Sequence, residues 1–172
     1  HRKRLSHKSE KHTIRFSLQD MQSRIDAQGL DAVQKGRHIK ALYTIPDFHN
    51  PLGRTMSLSR RREIFEFCQD RGILILEDTT YSSLYFESPP PISIYSISSG
   101  VGVLQMGTFS KTIATGLRLG WLHGDANFIE ALHKTRSDLG NVPFIQNAVT
   151  QFILSGEYGE HITAMLVLLQ TE

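Results

Sequence analysis

The chain holds one cysteine, Cys68, in 172 residues. A disulfide framework and a cysteine-built zinc cluster are therefore excluded, and a reducing, cytoplasmic setting is expected. No apolar run approaches the length a membrane-crossing helix needs, and no signal-peptide pattern is visible, so no membrane partner is expected. Excess charge of one sign is also lacking. The net charge is +2, with 21% charged and 40% hydrophobic residues, as in an ordinary globular protein. The length suits one domain with a sizeable core. Internal repeats and low-complexity tracts are absent.

The small net charge hides an uneven distribution. Arg2, Lys3, Arg4, Lys8, Lys11 and Arg15 face only Glu10 in the first fifteen residues, a local +5. The rest carries 13 basic and 16 acidic residues, about −3. The basic segment has neither interleaved aromatics nor a DNA-reading motif, so nucleic acid is not its expected partner. A solvated, disordered arm over residues 1–16 is expected, followed by one domain over 17–172. The first residue is His1, not methionine, and a fragment or processed chain is expected.

Helical spacing of Leu18, Met21 and Ile25 predicts an amphipathic helix within 17–35. Ile39 to Ile45 reads as a short buried strand stopped by Pro46. Residues 47–56 read as a loop marked by Asn50-Pro51 and Gly53. Ser57 is placed to N-cap a helix reaching about Arg71, with Leu58, Ile64, Phe65, Phe67 and Cys68 inward and Gly72 as its stop. Ile73-Leu-Ile-Leu76 is a continuous apolar run, the signature of a parallel strand covered on both faces. Residues 87–100, with three prolines in a row, read as a loop. Val101 to Met106 and Leu117 to His123 read as strands. Phe128 to Leu139, Phe144 to Leu154, and a stretch from about Gly159 to the end read as helices. Alternating strands and helices predict an α/β sandwich, and the polar residues of interest fall in strand-end loops.

The most informative loop is Gly107-Thr-Phe-Ser-Lys-Thr-Ile-Ala-Thr-Gly-Leu-Arg-Leu-Gly-Trp121. Lys111 sits among hydroxyls and small residues, and Arg118 follows seven residues later. An amine nucleophile near an anion-binding guanidinium suits a phosphorylated aldehyde cofactor such as pyridoxal phosphate. Alone, Lys111 would read as a solvated surface charge. Three further islands change that. Tyr43-Thr-Ile-Pro-Asp-Phe-His-Asn-Pro-Leu-Gly53 ends a strand in an Asn-Pro-x-Gly turn. Ile73-Leu-Ile-Leu-Glu-Asp-Thr-Thr-Tyr81 places Asp78 at a strand end, three residues before Tyr81. A carboxylate there can keep a pyridine nitrogen protonated, which makes the ring an electron sink. Gly116-Leu-Arg-Leu-Gly-Trp121 surrounds Arg118 with glycines that permit close backbone approach.

In this order and spacing, from about Tyr43 to His161, the islands resemble the fold type I pyridoxal-phosphate enzymes of the class I/II aminotransferase family. The resemblance implies a three-layer α/β/α sandwich with a mainly parallel sheet, present as part of the large, cofactor-binding domain. It implies Lys111 as the Schiff-base lysine, Asp78 on the pyridine nitrogen, Asn50 and Tyr81 on the ring oxygen, and Thr108, Ser110 and Arg118 on the phosphate. The implied activity is amino-group transfer between an amino acid and a 2-oxo acid, by a protein that is a homodimer at full length. Thr79-Thr80 stands where the family often has Asp-Pro, and Thr115 where proline usually precedes Gly-Leu-Arg. His49 stands where glutamine is frequent, and no partner cluster supports a metal role for it. Family members are more than twice as long, so the isolated chain is expected to bind the cofactor weakly and to turn over little. Two other readings remain: the aminotransferase-like sensor domain of a MocR-type transcription regulator, and a non-catalytic remnant.

Overall fold

The computed structural model describes Ser23, residues 38–137 and residues 140–171. The basic arm and the helix expected over 17–35 lie outside these residues, except Ser23, which is helical. Lys40–Glu172 form one compact unit. Four strands make its sheet: β1 (Ala41–Thr44), β2 (Leu74–Asp78), β3 (Val103–Thr108) and β4 (Gly120–His123), in that spatial order. The first three run parallel; β4 returns antiparallel, with Thr108 opposite Gly120 and Gln105 opposite His123. Among the described residues, five helices accompany them: α1 (Leu58–Asp70), α2 (Ile94–Ser98), α3 (Ala126–Thr135), α4 (Pro143–Leu154) and α5 (Glu157–Gln170). The expected α/β fold with a mainly parallel sheet is the one observed.

Local sequence explains the element ends. Ser57 caps α1, its hydroxyl accepting the Arg60 N–H at 3.4 Å. Gly72, at φ +62°, turns the chain out of α1 so that Ile73 can donate to the Cys68 carbonyl. Asp125 caps α3 through the N–H groups of Asn127 and Phe128. Pro143 opens α4, where its missing N–H costs nothing. The core gathers Ile64 and Cys68 of α1, Ile75 of β2, Ile94 of α2, and Val103 and Leu104 of β3.

Four expectations are corrected. The strand at Ala41–Thr44 is not buried; it alternates between exposed and half-covered residues because it forms the sheet edge among the described strands. In β2 only Ile75 and Glu77 are buried, while Leu74, Leu76 and Asp78 are half-covered, so the apolar run is closed over on one face. Residues 87–100 are not all loop, since Ser93 caps the five-residue α2. The last strand starts at Gly120, not Leu117: Thr115–Leu117 form a 3-10 turn and Arg118 is left-handed at φ +49°.

Candidate cofactor site

Parallel β1, β2 and β3 end on one edge of the sheet, and their following loops carry Asn50, Asp78 to Tyr81, and Ser110 to Lys111. Because β4 is antiparallel, it begins on that same edge, with Arg118 two residues before it. All seven sequence-predicted residues therefore gather at the strand ends where open α/β sheets hold ligands.

Asp78 is the most densely engaged. Its Oδ1 accepts the Thr80 N–H at 2.9 Å and the Thr80 hydroxyl at 2.5 Å, closing a tight Asx-type turn. Its Oδ2 accepts the Tyr43 hydroxyl at 2.6 Å. Donating to that carboxylate pushes the Tyr43 phenol up to about 12, with burial and the nearby negative charge adding to the effect. Thr79 ties the turn back to β3, its N–H and hydroxyl both reaching the Met106 carbonyl. The Thr79-Thr80 pair thus fastens the loop with hydroxyls where proline would stiffen it by ring closure. Asn50 meets Tyr81 directly, its amide donating to the phenol oxygen at 3.3 Å. The peptide between Asn50 and Pro51 is cis.

The lysine loop is wound around one carbonyl. Phe109 C=O accepts from Thr112, Ile113 and Ala114, while Phe109 N–H donates to Leu119 C=O at 3.1 Å. Thr108 Oγ1 accepts the Ser110 N–H at 3.1 Å and lies 3.0 Å from Ser110 Oγ and 3.1 Å from Leu119 O. The backbone is anchored from behind as well. Thr112 is buried, and its carbonyl accepts from His161 Nε2 of α5 at 2.8 Å. Phe109 meets Tyr158 edge-on with ring centres 6.1 Å apart, and Phe152 packs edge-on to both Tyr158 and His161. Lys111 and Arg118 are exposed and bond to no side chain among the described residues. The backbone of neighbouring Phe109, Thr112 and Leu119 is held, while the two charged ends stay free.

Beneath the loops lies a buried polar hub. Arg61 is fully buried; it pairs with Asp47, and it donates to the carbonyls of Met56 (3.1 Å), Pro91 (3.0 Å) and Ile92 (3.2 Å). Ser82 donates to the other oxygen of Asp47. The Asn50 loop, the Tyr81 turn, α1 and the proline-rich segment are thereby fastened to one guanidinium. Glu77, also fully buried, accepts the N–H groups of Ile94 (2.7 Å) and Tyr95 (2.9 Å) at the start of α2. Burial raises its carboxyl above the ordinary range; those N–H groups and Arg61 act the other way.

A cavity of about 690 Å³ opens beside these residues. Asp78, Thr80, Gly107, Thr108, Trp121 and Arg136 are among its lining. Of the predicted residues, Asp78 and Thr108 face it; Asn50, Tyr81, Ser110, Lys111 and Arg118 stand outside its wall. Gly107 and Gly120 are the close-approach positions. A Cβ on Gly107 would strike the Trp121 indole at 2.5 Å, and one on Gly120 would meet the Gly107 carbonyl at 2.9 Å. Gly116, expected to share this role, has open space around it. Tyr43, Asp47, Arg61 and Glu77 also work in the site, though no motif in the sequence marks them. Spacing held a signal for two of them: Arg61 falls in register with Ile64 and Cys68, and Glu77 has the parity of Ile75.

The donor set suits pyridoxal phosphate: a carboxylate, a primary amine, a guanidinium, a phenol, an amide and two hydroxyls, all on one edge. The comparisons identify the family. The model of the family "Aminotransferase class I and II" matches residues 8–166. The uncharacterized HTH-type transcriptional regulator YisV of Bacillus subtilis is 41% identical over 124 residues, covering 71% of this chain and 26% of that protein. Aromatic-amino-acid aminotransferase 1 of Thermococcus litoralis is 33% identical over 135 residues, 77% of this chain and 32% of that one. The crystal structure of Pyrococcus horikoshii kynurenine aminotransferase, a complex with PMP, superposes with a TM-score of 0.76 at 28% identity, covering 87% of this chain and 37% of the enzyme. The chain thus spans about a quarter to a third of the curated relatives' length. With a family match over most of its length, the chain belongs to the class I and II aminotransferases.

Proposed function

We propose that the chain is part of the large domain of a pyridoxal-phosphate-dependent aminotransferase, which moves an amino group between an amino acid and a 2-oxo acid in the cytoplasm. The observation that carries this reading is the placement of Asn50, Asp78, Tyr81, Thr108, Ser110, Lys111 and Arg118 on one sheet edge, assembled by the antiparallel return of β4. Residues 1–16 are a basic arm in this reading, the remainder is domain, and the full-length protein is a homodimer.

Bound pyridoxal phosphate supplies an electrophilic carbon for amines and, with its ring nitrogen protonated, a sink for electrons. The chain's residues divide the remaining work. Lys111 would be the covalent anchor, and its amine would hold or move the proton at the substrate carbon. Asp78 holds the proton on the ring nitrogen. Asn50 and Tyr81, already bonded to each other, hold the ring oxygen. Arg118 and the hydroxyls of Thr108 and Ser110 hold the phosphate.

Borohydride reduction in the presence of pyridoxal phosphate, followed by peptide mass spectrometry, tests the assignment. A mass increment on Lys111 is expected, lost in Lys111→Ala; labelling that persists in that variant would move the anchor elsewhere. Labelling of the isolated chain is expected to be weak and turnover small.

A second reading, a sensor domain in a transcription regulator, is favoured by the relatives at 41%, 38% and 34% identity that bear HTH-type regulator names. The same residues would then hold the cofactor without turnover serving a metabolic end. A helix-turn-helix domain encoded in the same gene, together with DNA binding by the whole protein, would decide for it.

A further inference from the structure

Tyr43 is an odd tyrosine. The residue is 54% exposed, so it adds little to the core. It lies on β1 opposite Leu76, and Asp78 follows two residues later on the same sheet face. Its hydroxyl reaches across to Asp78 Oδ2 at 2.6 Å. The Thr80 contacts on Oδ1 belong to a turn two residues long and move with Asp78 itself. The Tyr43 contact comes from another strand, 35 residues away in sequence, and ties the carboxylate to the sheet.

An ionised carboxylate has about four acceptor positions. Three donor contacts leave room for one more, which fixes the direction from which a further N–H can arrive. We propose that Tyr43 is a positioning residue that holds the Asp78 carboxylate in the plane needed to receive a protonated ring nitrogen. This rests on the cofactor reading above and adds a residue to it. The phenol keeps its proton across the whole neutral range, since Asp78 pushes its titration up to about 12. Tyr43 therefore serves as a hydrogen-bond donor across that range. Tyr81 differs, because its oxygen accepts from Asn50 and has no bond to Asp78 among the described residues.

The test has one arm without cofactor and one with it. In the first, the protein is labelled at tyrosine Cζ and titrated by NMR, Tyr43 being assigned by its loss in Tyr43→Phe. It is expected to titrate near 12 and to fall back towards the ordinary tyrosine range in Asp78→Asn. Ordinary titration in the unaltered protein would overturn the proposal. In the second, pyridoxal phosphate labelled with nitrogen-15 is titrated into the protein and into Tyr43→Phe. Loss of the contact that orients Asp78 is expected to weaken cofactor binding about tenfold and to move the ring-nitrogen resonance. The circular dichroism spectrum should stay unchanged, so that the loss of affinity is read on a folded protein, and a lower denaturant midpoint is expected because the bond is also present without cofactor. Equal affinity and an unmoved resonance in Tyr43→Phe would overturn the proposal and leave the cofactor reading intact. If the unaltered protein cannot be labelled at Lys111 by borohydride, the cofactor reading fails and the proposal with it.

Discussion

A methyl group at Gly107 would land 2.5 Å from the Trp121 ring, with two more indole atoms within 2.8 Å. No side chain fits there without displacing the indole. Gly107→Ala is expected to lower unfolding free energy by about 1–3 kcal/mol, as overpacking does, read from urea denaturation. Trp121→Ala should relieve part of the loss when combined with it, so the double-mutant cycle is expected to show positive coupling. Lys111 and Asp78 were legible in the sequence because their neighbours form a motif. Gly107 was legible only as the first letter of that motif. Its need for glycine comes from a residue fourteen positions downstream on an antiparallel strand, and no local pattern encodes that pairing. Tyr43 was hidden for the same reason, its partner being on the neighbouring strand.

The loops are fastened through α1, and Arg61 is where they are fastened. Arg60-Arg61-Arg62 looks like a solvated charge run, and Arg60 does pair with exposed Glu63 at 2.9 Å. Arg61 is turned inward by helical spacing alone, which places it above Ile64 and Cys68. Arg61→Met is expected to cost about 3–5 kcal/mol, because it strands the Asp47 carboxylate in a buried setting. Adding Asp47→Asn should recover part of that loss in denaturant titrations. Glu77 gives the same fold a pH signature. Its carboxyl is raised on folding, so the folded state binds its proton more tightly than the unfolded chain does. Its contribution is then complete at acid pH, below the ordinary glutamate range, and fades as pH rises through the raised value. Glu77→Gln is expected to remove that component from a stability-versus-pH curve, and an unchanged curve would show that Glu77 does not titrate differently on folding. The elements themselves were largely readable from capping residues and periodicity. The exceptions have physical causes: β1 lies at the sheet edge among the described strands, so its apolar run is not covered; and α2 exists because Glu77 and Ser93 cap it, a tertiary contribution inside a proline-rich segment.

At the scale of the whole molecule, the outer faces of α4 and α5 carry exposed apolar residues. Phe144 is 76% exposed and Leu154 74%, with Val167 and Leu168 nearby in kind. Surfaces of this character promote association. Light scattering is expected to rise with protein concentration, and a Leu154→Lys, Leu168→Lys variant should suppress the rise. No helix among the described residues is long and apolar enough to cross a membrane. The single tryptophan gives this chain one more property. Trp121 forms part of the cavity wall, flat against Gly107, on the side where Asp78 and Thr108 are found. Its fluorescence therefore comes from one place and needs no label to be assigned. A chromophore that settles into the cavity and absorbs where indole emits will quench that light by energy transfer. The protein carries its own optical gauge of occupancy at the strand ends.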